Sequence, residues 1–237
     1  DRAGGAAPSQ AREGAAVLAA NDDEAVSILL ASLVPGAGPV VGWLRADSAT
    51  ALDLVGNGRA TIAGYHRREV PVMAGGRRLA RLRLVSREVG LVGPRGRPAP
   101  RIAAFAERRV ASRPATSGIR STLDEALTGA GLAPARVHER ATCLPSHRDV
   151  VCSVARGDAD VGVTSRDWAA RLGLPFRALG VEEFDLLIPA ERLGDAAVVR
   201  LCEAAQSRAV QTAVGSLPGH STDGTGTLRF ETGSDAS

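Results

Sequence analysis

Between Ala16 and Tyr65 the chain alternates short apolar runs with capped amphipathic runs, and this alternation narrows the fold more than any other feature. Ala16–Ala19 reads as a strand. Asn21-Asp22-Asp23 offers N-caps to a helix through Leu33, with Val26, Leu29, Leu30 and Leu33 on one face. Pro35 and Gly36 end that helix. Pro39–Leu44 reads as a second strand. Asp47-Ser48 caps a second helix closed by Gly56-Asn57-Gly58, and Ala60–Tyr65 is a third strand running into His66. A strand–helix–strand–helix–strand run builds a parallel sheet through right-handed crossovers.

Beyond an irregular turn at Val70–Gly76, Arg78–Val85 alternates Arg with Leu or Val, the pattern of a half-exposed strand. Glu88–Val92 reads as a more buried strand, Pro94–Pro100 as a loop, Ile102–Glu107 as a short helix and Val110–Ser112 as a strand. A second unit of the same kind follows. It comprises a helix from about Ser121 to Gly129, a strand at Val137–Ala141, a helix at His147–Arg156, a strand at Asp160–Val163 and a helix at Asp167–Leu172. A strong strand at Phe184–Ile188 and a long helix at Ala196–Gln211 then carry the chain back to finish the first unit.

Two α/β runs joined by Arg81–Val92 and by a second connection near Val181–Ile188 predict two lobes, each with a mixed sheet flanked by helices, and a cleft between them. The expected division is a tail over 1–15, a first lobe of 16–84 plus 188–220, a second lobe of 85–187, and a frayed polar tail over 221–237. Ligands in such folds lie at the carboxyl ends of the strands, where helix N-termini converge.

Composition excludes several classes. The 237 residues include 29 cationic side chains, every one an Arg, against 26 acidic ones, for a net charge of +3. The arginines are scattered rather than interleaved with aromatics, unlike a surface that tracks single-stranded nucleic acid. No apolar run reaches the ~18 residues of a membrane span, and no signal peptide is visible. Cys143, Cys152 and Cys202 have no metal spacing and are odd in number. This points to buried thiols in a reducing compartment, hence to the cytoplasm. The chain opens on Asp1, which reads as a fragment or a processed product. A nucleophile elbow, a P-loop and a G-x-G-x-x-G loop are all missing, so the expectation is a binding protein and not an enzyme, with no cofactor.

The most suggestive stretch for chemistry is Arg113–Leu127. Small residues Thr116, Ser117 and Gly118 precede a helix bearing Leu123 and Leu127, and Arg113 and Arg120 flank them. Unpaired N–H groups at a helix start suit a negatively charged ligand, and arginines add charge-assisted donors. Asn21, Asp22 and Ser48 stand at two other helix starts. His66 at a strand end and His147 at a helix start are candidate hydrogen-bond donors. Glu182, with Glu183 and Asp185, forms an acidic cluster that reads first as a salt-bridged face.

These residues also follow an order known from a family. Arg113, Ser117, Gly118, Arg120, Leu123 and Asp124 match a motif of the form R-x-x-G-S-G-T-R-x-x-L-D, with Thr116 and Ile119 in place of its Gly and Thr. Ala20-Asn21-Asp22, Ser48 with Leu52, His66, Ser146-His147, Gly157–Gly162 and Glu182–Leu186 match its other landmarks. On them the chain resembles the PBP-like ligand-binding domain, related to molybdate-type periplasmic binding proteins, from about Val17 to Gly219. The resemblance implies a type II periplasmic-binding fold that closes on a small, anionic molecule. Its ligand residues would be Asn21, Asp22, Ser48, His66, Thr116, Ser117, Gly118, Arg120, His147 and Glu182. Such domains follow helix-turn-helix modules in one-component bacterial regulators. The expected partners are therefore a small-molecule ligand, a fused or partner DNA-binding domain outside this chain, and a second copy in a homodimer. An exported solute-binding protein and an accessory domain of molybdenum-cofactor assembly are the alternatives. The lost glycines and the lost serine of the family pattern weaken the case for a bare oxyanion.

Overall fold

Asp23, Asp47, Ser146 and Ser207 each turn the chain from an extended approach into a helix by accepting a backbone N–H of the first turn. The computed structural model describes residues 14–33, 38–66 and 78–230. The first five elements are β1 (Ala16–Ala20), α1 (Glu24–Ser32), β2 (Val41–Arg45), α2 (Ser48–Gly56) and β3 (Ile62–Tyr65). As the alternation predicts, β1 lies between β2 and β3 and is parallel to both. The expected turn at Val70–Gly76 falls outside the described residues, as do residues 1–13.

Next come β4 (Leu79–Val92), a 3-10 turn at Ile102–Ala106, β5 (Val110–Ser112), α3 (Gly118–Gly129), α4 (Pro134–Glu139) and β6 (Thr142–Cys143). They are followed by α5 (His147–Arg156), β7 (Val161–Ser165), α6 (Arg166–Arg171) and β8 (Phe176–Pro189). The chain then continues through α7 (Ala196–Gln206), α8 (Arg208–Gly215), β9 (His220–Ser221) and β10 (Leu228–Phe230).

β4 and β8 are the spine. They pair antiparallel from Leu79↔Pro189 to Val92↔Phe176, with register shifts between Arg83 and Val85 and between Val89 and Gly90. At one end β8 pairs with β3 through Asp185–Leu187, which joins it to β1 and β2. At the other end β4 pairs with β7 through Val89–Val92, and β5 and β6 follow in parallel. The two expected sheets are thus halves of one ten-stranded sheet, because two 14-residue strands are long enough to serve both lobes.

Each half of the sheet is covered on both faces. Leu18, Leu29, Ile62, Phe184 and Leu201 pack on one face of the first lobe, and Ala51, Val55, Tyr65 and Leu187 on the other. In the second lobe Leu91, Phe105, Leu123 and Val163 form one core, and Val92, Val150, Val154 and Ala169 the other. With so few aromatics, these cores are built mostly from Val, Leu, Ile and Ala, with Tyr65, Phe105 and Phe184 among them.

Four local expectations are corrected. Val137–Ala141 is not a strand: Pro134 starts a helix, Val137 is its buried contact, and the strand comes later at Thr142–Cys143. The long helix at Ala196–Gln211 is two helices. Ser207 is extended (φ −68°, ψ 140°), and its Oγ caps α8 at the Val210 N–H, 3.3 Å away. The segment after Ser221 is not wholly frayed, since Leu228–Phe230 adds to β4 opposite Ala80–Leu82. Of the thiols expected to be buried, Cys143 is exposed and the other two are half-buried.

Candidate ligand-binding cleft

Arg87 is the centre of the space between the lobes. It projects from β4 and is only 2% exposed. Its guanidinium pairs with Asp23, which also caps α1, and with Glu182 of β8 at 2.9 Å from Nη2 and 3.2 Å from Nε. The same Nη2 lies 3.4 Å from His66 Nδ1 and 3.3 Å from His147 Nε2. One side chain thereby holds the start of α1, the end of β3, the start of α5 and the middle of β8.

Burial sets the charges of this group. It opposes the charge on Arg87, yet Asp23 and Glu182 outweigh it and keep the guanidinium firmly protonated. Burial raises the Glu182 pKa, and Arg87 offsets part of that rise. His66 and His147 are held well below the usual histidine range by burial first and then by the cations Arg87 and Arg113. Both rings are therefore neutral at pH 7. Arg can only donate, so His147 Nε2 is the acceptor and its Nδ1–H faces Thr164 Oγ1 at 3.4 Å. His66 stacks on Phe184 with ring centroids 4.0 Å apart, and its backbone N–H donates to Ser48 Oγ at 3.2 Å.

The α3 start closes against this group. Ser117 Oγ donates to the Pro114 carbonyl at 2.7 Å instead of capping the helix. A Cβ at Gly118 would stand 2.5 Å from Glu182 Oε1 and 2.7 Å from His66 Cβ, so only glycine fits. The anion beside this helix start is the protein's own carboxylate, where its charge is favoured. Thr116 Oγ1 donates across the cleft to Asp47 Oδ2 at 2.8 Å, and Arg171 of α6 pairs with Glu24 of α1 at 3.0 Å.

Two spaces remain. An inner cavity of about 10 Å³ lies among Ser48, His66, Arg87, Ser117, Gly118, His147 and Glu182, with room for a single water at most. A groove of about 560 Å³ opens outside it, in the range that accepts small organic ligands. Asn21, Asp47 and Arg113 line both.

The sequence candidates divide accordingly. Asn21, Ser48, His66, Ser117, Gly118, His147 and Glu182 converge on the inner cavity, and Asn21 and Asp22 face the groove. Thr116 bridges the lobes at the exposed rim. Arg120 stands apart, bonded to Asp124 and to the Arg113 carbonyl, each at 3.2 Å, and lines neither space. Glu183 and Asp185 form the salt-bridged face the sequence suggested, with Arg83 at 2.6 Å from Glu183 and Arg81 at 2.7 Å from Asp185.

Two site residues were missing from that set. Arg87 lies just beyond the Arg78–Val85 alternation; continuing that alternation would turn it to the side of Arg81 and Arg83, and the register shift between Arg83 and Val85 reverses this. The available signal was acidic: Asp22-Asp23 stands between a strand end and a helix start and Glu182-Glu183 lies within a strand, and buried carboxylates require a cation. Arg113 was visible as a flanking donor. It is 3% exposed; its Nη1 donates to the Leu144 carbonyl at 3.1 Å, and its buried Nε has no hydrogen-bond partner among the described residues.

A family model described as the PBP superfamily domain matches residues 36–206. This chain belongs to that family. No curated protein matches it. Among solved structures, this PBP superfamily domain is similar to a substrate-binding protein of a phosphate ABC transporter from Clostridium perfringens, with bound phosphate. The TM-score is 0.68 and the identity 11%, over 85% of this chain and 96% of that one. It is also similar to the effector-binding domain of QuiR in complex with shikimate, with a TM-score of 0.64 and 11% identity over 86% and 99% of the two chains. A third is the regulatory domain of MetR, a LysR family regulator from N. meningitidis, with a TM-score of 0.63 and 14% identity over 88% and 97%. These likenesses establish the two-lobed type II fold of the PBP superfamily domain.

Proposed function

We propose that this chain is the small-molecule-binding part of a bacterial transcriptional regulator, and that its ligand sits in the groove between the lobes. The observation that carries the reading is the groove itself. It is lined from α1 and β2 on one side and from α5 and α6 on the other, with the buried Arg113 at its floor. A ligand there touches both lobes and so favours one relative placement of them, which is the only way binding can shift a conformational equilibrium. The hinge is placed where β4 and β8 change partners, near residues 83–87 and 181–185. Of the similar structures named above, one is the regulatory domain of a LysR family regulator and one an effector-binding domain, and shikimate and phosphate are both anions.

A bare oxyanion at the start of α3 is disfavoured, because Glu182 already stands there and the inner cavity is too small. We propose a binding role and not catalysis, in line with the ligand-bound structures that the chain resembles. A cytoplasmic location, a DNA-binding domain on this chain or a partner, and a homodimer belong to the same reading. The second reading, a solute-binding protein for a transporter, is favoured by the phosphate-bound likeness. The coding sequence upstream of Asp1 separates them: a helix-turn-helix supports the regulator, and an export signal supports transport.

Thermal melting across a panel of small anions and neutral metabolites tests the binding claim. A ligand at one hundred times its Kd adds about 2.7 kcal/mol and shifts the midpoint by several degrees. A midpoint that no compound moves would argue against any ligand in the groove.

A further inference from the structure

The chain has two tryptophans in 237 residues, and both line the outer groove from opposite lobes. Trp43 belongs to β2. Its indole N–H donates to the Ala20 carbonyl at 3.1 Å, and the Arg45 guanidinium lies 5.5 Å from its ring, so its position is fixed. Trp168 belongs to α6 and lies 4.9 Å from the Arg171 guanidinium. Its Nε1 is buried and has no hydrogen-bond partner. In a protein whose cores are aliphatic, two half-buried indoles facing one groove supply flat, polarizable walls for a ring.

The polar groups of the groove define the rest of the ligand. Arg113 is almost wholly buried, and among the described residues its Nε is unpartnered and its Nη1 donates to a neutral carbonyl. Burial lowers its pKa, Asp22 offsets part of that and Arg87 adds to it, so an anion in direct contact would relieve the remaining cost. A guanidinium edge suits a planar carboxylate. Asn21 Oδ1, also buried and unpartnered, asks for a donor. Asp22, Glu24 and Asp149 on the same walls repel a highly charged anion.

Resting on the cleft-binding reading above, we infer that the groove takes a planar aromatic monocarboxylate carrying a ring hydroxyl or amino group. The carboxylate sits on Arg113, the ring lies between Trp43 and Trp168, and the ring substituent donates to Asn21.

Calorimetric titration of the full chain tests this. The aromatic probes are 4-hydroxybenzoate, anthranilate and indole-3-carboxylate. The controls are cyclohexanecarboxylate, phenol and inorganic phosphate. At least one aromatic acid is expected to bind tenfold or more tightly than every control, and to change tryptophan emission excited at 295 nm. Arg113→Gln and, separately, Trp168→Leu are each expected to weaken it tenfold or more, with unfolding midpoints measured for both to check that they fold. Controls that bind as well as the aromatic acids would overturn the ligand class and leave cleft binding standing. Aromatic binding that survives both variants would overturn the assigned site. No binding by any of the six compounds would overturn the ligand class, and the broader melting panel would then decide whether the cleft reading falls with it.

Discussion

Gly118 on α3 and Glu182 on β8 approach so closely that a methyl group on the glycine would stand 2.5 Å from the carboxylate oxygen. His66 Cβ lies 2.7 Å from the same point, so α3 is packed directly against the inner cavity. Gly118→Ala must therefore move α3 away from β8 or displace Glu182 from Arg87. The expected cost is about 1–3 kcal/mol. Urea unfolding measures it, and small-angle scattering should show a larger radius of gyration. An unchanged midpoint would mean that the lobes do not close on this residue.

Arg87 balances two carboxylates in a buried space, so its removal leaves both uncompensated. Arg87→Met is expected to destabilise the fold by about 3–5 kcal/mol. Adding Glu182→Gln should recover part of that loss, because the second change removes one of the stranded charges. A double-mutant cycle reads this as a coupling of at least ~1 kcal/mol. Strictly additive losses would show that the two side chains do not act as a pair.

Stability should fall on mild acidification. His66 and His147 have folded pKa values well below 6.5, by burial and by the nearby Arg87 and Arg113. The unfolded chain takes up these protons near pH 6.5. The histidine contribution is thus complete above that pH and is lost as the pH falls below it, by up to ~1.4 kcal/mol per pH unit for each ring. Glu182 acts in the opposite sense, because a carboxylate with a raised pKa loses stability as the pH rises through that value. Comparing wild type with His147→Asn separates the two. Between pH 7.5 and 5.5 the variant should lose less stability than wild type in urea titrations. Equal slopes would mean that His147 is protonated inside the fold.

Arg120 offers a contrast with Arg113. The sequence motif presents Arg120 as the ligand's cation, but its guanidinium is turned to Asp124 and the Arg113 carbonyl. Arg120→Ala should therefore change the affinity of a groove ligand by less than threefold in calorimetry. Its unfolding free energy should fall by no more than ~1 kcal/mol, the range of an exposed i,i+4 pair. A tenfold loss of affinity would restore Arg120 to the site.

Much of the site could be read in one dimension because its residues sit at element ends. Asn21, Ser48, His66, Ser117 and His147 are marked by caps and by the last residues of apolar runs, and local signals of that kind survive folding. Arg87 could not be read this way. It lies mid-strand in an alternating pattern, and alternation reports the side of a strand without reporting what covers that side. The register shift between Arg83 and Val85 then changes which side each later residue takes. Val137 misled for a related reason. A few apolar residues fit a strand or one turn of helix equally well, and Pro134 together with packing against the second lobe settled the matter.

By itself, the sequence determined the parallel α/β units, the two connecting strands and the places where helix starts gather, because periodicity, caps and breakers are local. Only the tertiary structure decided what those helix starts face. It put Glu182 beside Gly118, set Arg87 among two acids and two neutral histidines, and brought both tryptophans to one groove over Arg113. Those contacts join residues tens of positions apart or more, and burial, which no local pattern encodes, gives them their charge states and their energy.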